Sequence, residues 1–134
     1  MDIDHRYRHR AWSRADFVRL NASVAANVCG IYAVNRLWLQ HASSDWFVHG
    51  YLSDVLAGTL VLAYANLVIG ITPFFHRVIV SPSQIAVFIG MVGLYWEFIT
   101  PLYRSCTADP ADLAAYAFGA ALYYAVMRAC SPNA

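Results

Sequence analysis

One stretch of this chain, residues 55–75, has no charged side chain, and it limits what the sequence can fold into. A helix needs about 20 mostly apolar residues to cross about 30 Å of hydrocarbon, and this stretch is long enough. The composition agrees, since 60% of the residues are hydrophobic and 13% are charged, whereas soluble domains average about 45–50% and about 25%. A soluble helix keeps a polar face, which this stretch lacks. We therefore expect an integral membrane protein.

Three other segments have a similar length and character, so the sequence predicts four transmembrane helices in a single domain. The predicted spans are residues 17–39, 46–72, 82–103 and 110–129, preceded by a cytoplasmic basic arm at residues 1–16. Pro82 and Pro110 each follow a residue that can cap a helix, and proline fits the first position of a helix. The expected fold class is an all-α integral membrane protein, a bundle of four transmembrane helices.

The placement of the arginines predicts how this bundle is oriented. With both termini in the cytoplasm, Arg36 and Arg104 face outward. The other arginines then face the cytoplasm: Arg6, Arg8, Arg10, Arg14, Arg19, Arg77 and Arg128. Because cytoplasmic segments carry the excess of basic residues, we expect a multi-pass protein of the inner (plasma) membrane with both termini cytoplasmic. The net charge of +1 does not indicate a nucleic-acid partner, and the expected partner is the lipid bilayer.

Two carboxylates lie inside the predicted spans, near their outer ends. Glu97 precedes Arg104 by about 10 Å of helix, and Asp54 follows Trp46 by about 12 Å, so both reach a similar depth. A charge in lipid costs at least about 2.5 kcal/mol and often marks a function. Asp54 and Glu97 are therefore the candidate catalytic residues, acting as general acid and base or binding a hard cation. The alternative is ion pairing with Arg36 and Arg104 that holds the bundle together.

Other polar residues extend this predicted outward-facing pocket. Asp109 and Asp112 either join the acidic cluster or stabilise the start of the last helix. Arg36 and Arg104 either bind a phosphate or carboxylate group or neutralise the acids. His49 is either a ligand or an interfacial histidine. If the site holds a cofactor, we expect a divalent cation, and its candidate ligands are Asp54, Glu97, Asp109 and Asp112. Asn66, deep in the second span, is expected to bond between helices.

The second half of the chain carries its polar and small residues in a distinctive order. A membrane glutamate, Glu97, is followed by Arg104 in a loop, by Asp109 at the start of a helix and by Gly119 farther along that helix. This order resembles the VanZ-like family of small multi-span membrane proteins, and Asp54 near the start of an earlier span is also similar to that group. The resemblance implies a role in the cell envelope, associated with resistance to glycopeptide antibiotics such as teicoplanin. It does not imply a particular reaction.

Three functional hypotheses follow, and whether the protein is an enzyme stays open among them. The first is a bacterial inner-membrane protein whose outward-facing polar pocket acts in envelope or glycopeptide-resistance biology. The second is a metal-dependent membrane enzyme that acts on a lipid-linked or phosphorylated substrate. The third is a non-catalytic assembly subunit, a homo-oligomer or one bound to a membrane partner, because small side chains crowd the last span and favour close helix packing.

Overall fold

A computed structural model describes residues 12–99, 102 and 110–131. Its helices are α1 (Arg14–Val34), α2 (Gln40–Ala42), α3 (Trp46–Gly50), α4 (Leu52–Ile71), α5 (Pro82–Leu94) and α6 (Pro110–Ala129). A first π-turn (Asn35–Leu39) continues α1, a second π-turn (Tyr95–Ile99) continues α5, and a 3-10 turn covers Phe75–Arg77. No described residue lies in a strand, so the all-α class is confirmed for this part of the chain.

Two helical segments of the described residues are long and apolar enough to cross a membrane. They are Arg14–Ala42, which includes α1, the first π-turn and α2, and Leu52–Ile71, which is α4. α5 is a shorter apolar helix, and α6 contains 20 residues. The presence of four spans and their orientation stay predictions.

Side-chain caps fix where two of the long helices begin. At the start of α1, Ser13 Oγ accepts a hydrogen bond from the Asp16 amide (3.1 Å). At the start of α5, Ser81 Oγ accepts from the Gln84 amide (3.3 Å), and Gln84 Oε1 accepts in return from the Ser81 amide (3.2 Å). Pro82 occupies the first turn. This reciprocal capping, followed by proline, is a strong local signal for a helix start.

The second predicted span is divided near its start. α3 ends at Gly50, and Tyr51 (φ −111°, ψ −19°) separates it from α4. Glycine is a poor helix former, which accounts for a break at this point. Asp54 therefore lies in the first turn of α4. The depth assigned to Asp54 assumed one continuous helix from Trp46, and the break removes that assumption.

α4 is the central helix of the described structure. It packs against α1 and against α6, while α5 packs chiefly against α6. The buried core draws on α1, α4, α5 and α6 and contains Phe17, Leu62, Ala63, Ile85, Ile89, Ala120, Tyr123 and Met127. A Cβ atom on Gly58 would lie 2.5 Å from the backbone oxygen of Tyr116, and one on Gly119 would collide with the backbone oxygen of Val55. Glycine at these positions therefore allows the close approach of α4 and α6.

Candidate functional site

The residues of the predicted outward-facing pocket are described only in part. Arg104 and Asp109 lie outside the described residues, as does the side chain of Glu97. The backbone of Glu97 lies in the second π-turn. The remaining candidates lie within the described residues: Arg36, His49, Asp54 and Asp112.

Asp54 and Asp112 occupy equivalent positions in two helices. Each lies in a first turn, Asp54 in α4 and Asp112 in α6. Both side chains are partly buried, and neither lacks an interaction partner. The positive end of the helix dipole stabilises a carboxylate at such a position, with or without a ligand. Among the described residues, no three His, Cys, Asp or Glu side chains form a group that could hold a metal ion.

Arg36 and His49 have local partners. Arg36 Nη1 donates to Oε1 of Gln40, one turn later on the same helical segment (2.9 Å). His49 Nε2 lies 2.7 Å from the carbonyl oxygen of Ser43, and because a carbonyl only accepts, this nitrogen carries the proton. His49 thus ties α3 to the loop before it. Within the described part of the chain, neither side chain forms an ion pair with an acid.

An open cavity of about 290 Å³ lies between α3, the start of α4 and the start of α6. Its walls are Trp46, Phe47, Tyr51, Val55, Ala111, Ala115 and Phe118. The rings of Trp46 and Tyr51 meet edge to face, with centroids 5.4 Å apart and an interplanar angle of 82°. Asp54 and Asp112 each neighbour a wall residue in sequence, but neither carboxylate lines the cavity. The predicted pocket is polar, whereas the walls of this cavity are apolar and aromatic.

The first π-turn carries a buried polar group that was not among the predicted site residues. Asn35 is 0% exposed, and its Nδ2 lies 3.4 Å from Ser53 Oγ, at the long limit of a hydrogen bond. Its Oδ1 has no hydrogen-bond partner among the described residues. Leaving a buried acceptor unsatisfied costs about 1–3 kcal/mol. π-helical turns are rare and frequently occur at functional sites, so Asn35 joins the candidate site.

A second buried polar cluster, which we call the tyrosine–asparagine network, lies toward the other end of α1. The Tyr123 hydroxyl donates to Asn21 Oδ1 (2.7 Å) and accepts from Asn66 Nδ2 (2.6 Å). Asn66 Nδ2 also donates to the Ile79 carbonyl (2.8 Å), and Asn66 Oδ1 accepts from the Ile79 amide (2.7 Å). The expectation that Asn66 bonds between helices is confirmed. The network joins α1, α4, α6 and the segment before α5, and we assign it a structural role.

Comparison with known proteins finds no matching family model, no matching curated protein and no matching solved structure. The function is therefore argued from the residues themselves, and the VanZ-like resemblance enters as part of a proposal.

Proposed function

We propose that the chain is a four-span protein of the bacterial inner membrane whose outer end carries a polar site acting in the cell envelope. The observation that carries this proposal is an inversion of polarity. The largest fully buried side chains include three asparagines, Asn21, Asn35 and Asn66. Large hydrophobic side chains are instead exposed on all four long helices, for example Tyr32, Tyr64, Met91 and Phe118. Soluble monomers rarely expose extensive apolar surface, and lipid is the solvent that suits it.

Helix lengths support four crossings rather than two. α6 contains 20 residues, which corresponds to about 30 Å. α5 has 13 residues and continues directly into the five residues of the second π-turn. An even number of crossings places both termini on one side, and the excess of arginine there favours the cytoplasm.

In this orientation the two π-turns and the starts of α4 and α6 all lie at the outer end. These four elements bear Arg36, Glu97, Asp54 and Asp112. Polar residues at membrane depth mark functional sites by default. The VanZ-like order of Glu97, Arg104 and Asp109 supports an envelope function that includes resistance to glycopeptide antibiotics.

A susceptibility assay in a Gram-positive host tests this function. Expression of the wild-type chain should raise the inhibitory concentration of teicoplanin. Asp54→Asn and Glu97→Gln keep side-chain size and remove the charge, and each should abolish the increase at an unchanged level of protein in the membrane. Asp16→Asn is the matched control, because Asp16 is an exposed acid of the inner end that lies 3.9 Å from Arg19.

Two outcomes would refute this function. One is a wild-type chain, correctly inserted, that leaves teicoplanin susceptibility unchanged. The other is an Asp16→Asn variant that loses resistance as completely as Asp54→Asn, since the outer position of the carboxylate would then be irrelevant.

An assembly subunit is the second candidate, and an apolar groove between α5 and α6 favours it. The groove measures about 370 Å³, and its walls include the small residues Ala86, Gly90, Ala117 and Ala121. Small residues on a lipid-facing surface allow another helix to approach closely. In a chain whose native cysteines are replaced, Ala121→Cys should then crosslink two chains in membranes, and recovery of monomer alone would exclude self-association through this groove.

A further inference from the structure

We propose that Asn35 and Ser53 form a buried binding site for a neutral hydroxyl group, supplied by water or by a hydroxyl-bearing ligand. The site lies between the first π-turn and the first turn of α4. It requires neither the outer carboxylates nor a particular orientation in the membrane. It therefore goes beyond the proposed function and can be tested independently of it.

The unpaired group persists whichever way the Asn35 amide is oriented. As placed, Nδ2 faces Ser53 Oγ at 3.4 Å and Oδ1 is buried without a partner. If the amide were rotated by half a turn, Oδ1 would accept from the Ser53 hydroxyl, and Nδ2 would be the buried group without a partner. Amide orientation is inferred from the surrounding hydrogen bonds, so only a group from outside the described residues satisfies both ends.

The other fully buried asparagines show that this fold can satisfy a buried amide. Asn21 Nδ2 donates to the Phe17 carbonyl at 2.9 Å, and Asn21 Oδ1 accepts from Tyr123 at 2.7 Å. Asn66 is bonded through both ends of its amide. Native proteins leave few buried polar atoms unpaired, and each exception requires an explanation such as an unseen water or ligand. Among the described residues, Asn35 is that exception.

The electrostatics of the site favour a neutral occupant. No side chain caps the start of α4, and its first turn carries both Ser53 and the acid Asp54. The positive end of the helix dipole and the Asp54 carboxylate oppose each other there, so the local charge favours neither a cation nor an anion. The Asn35 amide is uncharged, and its unpaired end is an acceptor in one orientation and a donor in the other. A hydroxyl group suits both orientations, because it can donate to Oδ1 or accept from Nδ2.

Paired leucine substitutions test the site in the purified full-length protein, in a detergent without hydroxyl groups. Asn35→Leu removes an amide whose second partner is a single bound water or ligand hydroxyl, so its Tm should fall by less than that of Asn21→Leu. Asn21→Leu breaks two hydrogen bonds within the chain and should lower Tm by about 3 °C or more. If Asn35→Leu lowers Tm as much as Asn21→Leu, the Asn35 amide is satisfied within the chain and the proposal is overturned.

Thermal shifts with glycerol and glucose identify the source of the hydroxyl. If glycerol or glucose raises the Tm of the wild type but not that of Asn35→Leu, the site binds a ligand hydroxyl. If the Tm shifts of the wild type and Asn35→Leu are equal, and a high-resolution structure shows a water bound at Asn35 Oδ1, the site binds water. A structure with nothing bound at Oδ1, and no difference with either probe, overturns the proposal. Ser53→Ala is a second variant at the same site, and it should reduce any probe-dependent shift without lowering Tm in the absence of the probe.

Discussion

Removal of the Tyr123 hydroxyl is the perturbation whose effect follows most directly from the packing. Tyr123 is fully buried, and Tyr123→Phe keeps the ring while deleting one donor and one acceptor. Asn21 Oδ1 then loses its 2.7 Å donor, and Asn66 Nδ2 keeps a single bond, to the Ile79 carbonyl at 2.8 Å. Both amides stay buried.

The size of the effect follows from the groups left unpaired. Interhelical hydrogen bonds in membrane proteins average about 0.6 kcal/mol, and a buried group left without its partner costs about 1–3 kcal/mol. We expect Tyr123→Phe to reduce the free energy of unfolding by about 1–3 kcal/mol. For a chain of this size the corresponding fall in Tm is roughly 3 to 15 °C.

Tyr124→Phe is the matched control, because the neighbouring hydroxyl lies at the surface. It accepts one long hydrogen bond from Arg128 Nη1 (3.4 Å), which water replaces readily. Thermal unfolding of both variants in detergent, followed by circular dichroism, measures the difference. If Tyr123→Phe melts with the wild type, or if the two variants are equally destabilised, the tyrosine–asparagine network does not stabilise the bundle as we argue.

Two further changes test the packing and the helix ends. Gly58→Ala places a methyl group 2.5 Å from the backbone oxygen of Tyr116. This overpacking should lower the free energy of unfolding by about 1–3 kcal/mol and so reduce Tm. In the control variant Gly30→Ala the methyl group meets nothing within 4 Å, so Tm should stay unchanged or rise. Equal Tm values for these two variants would disprove the close α4–α6 contact. Ser81→Ala removes the capping box at the start of α5 and should cost about 1 kcal/mol, measured by chemical denaturation. An unchanged midpoint would mean that the cap does not determine where α5 begins.

Signals within a few neighbouring residues made the all-α fold class and some helix ends predictable from the sequence. An uncharged apolar run specifies a helix in lipid by length alone, and the pair Ser81 and Pro82 carries its own start signal within a few residues. The π-turns had no such signal. The sequence of residues 35–39 is compatible with an α-helix, and a change of hydrogen-bond register depends on how α1 packs against α4.

The candidate site was predicted less completely, for a related reason. The sequence draws attention to charges such as Asp54 and Glu97, because charge in lipid is costly wherever it occurs. It does not reveal which neutral polar residues meet. Tyr123 and Asn21 are 102 positions apart, and the unsatisfied Asn35 amide emerges only once its neighbours are known. The residue type is the same in each case, and only the long-range hydrogen-bond partners distinguish the structural asparagines Asn21 and Asn66 from the candidate binding residue Asn35.

Labelling of single cysteines with a membrane-impermeant maleimide tests the central claim, that this is a membrane bundle with its polar site outside. Cys130 at the end of α6 is an exposed free cysteine, and Ser44→Cys places a thiol at an exposed position in the loop before α3. Each is the sole cysteine of its variant. In intact spheroplasts we predict that Ser44→Cys is labelled at once and that Cys130 is labelled only after the membrane is disrupted. Equal labelling of both sites in intact spheroplasts, or recovery of the chain in the soluble fraction, would contradict the account.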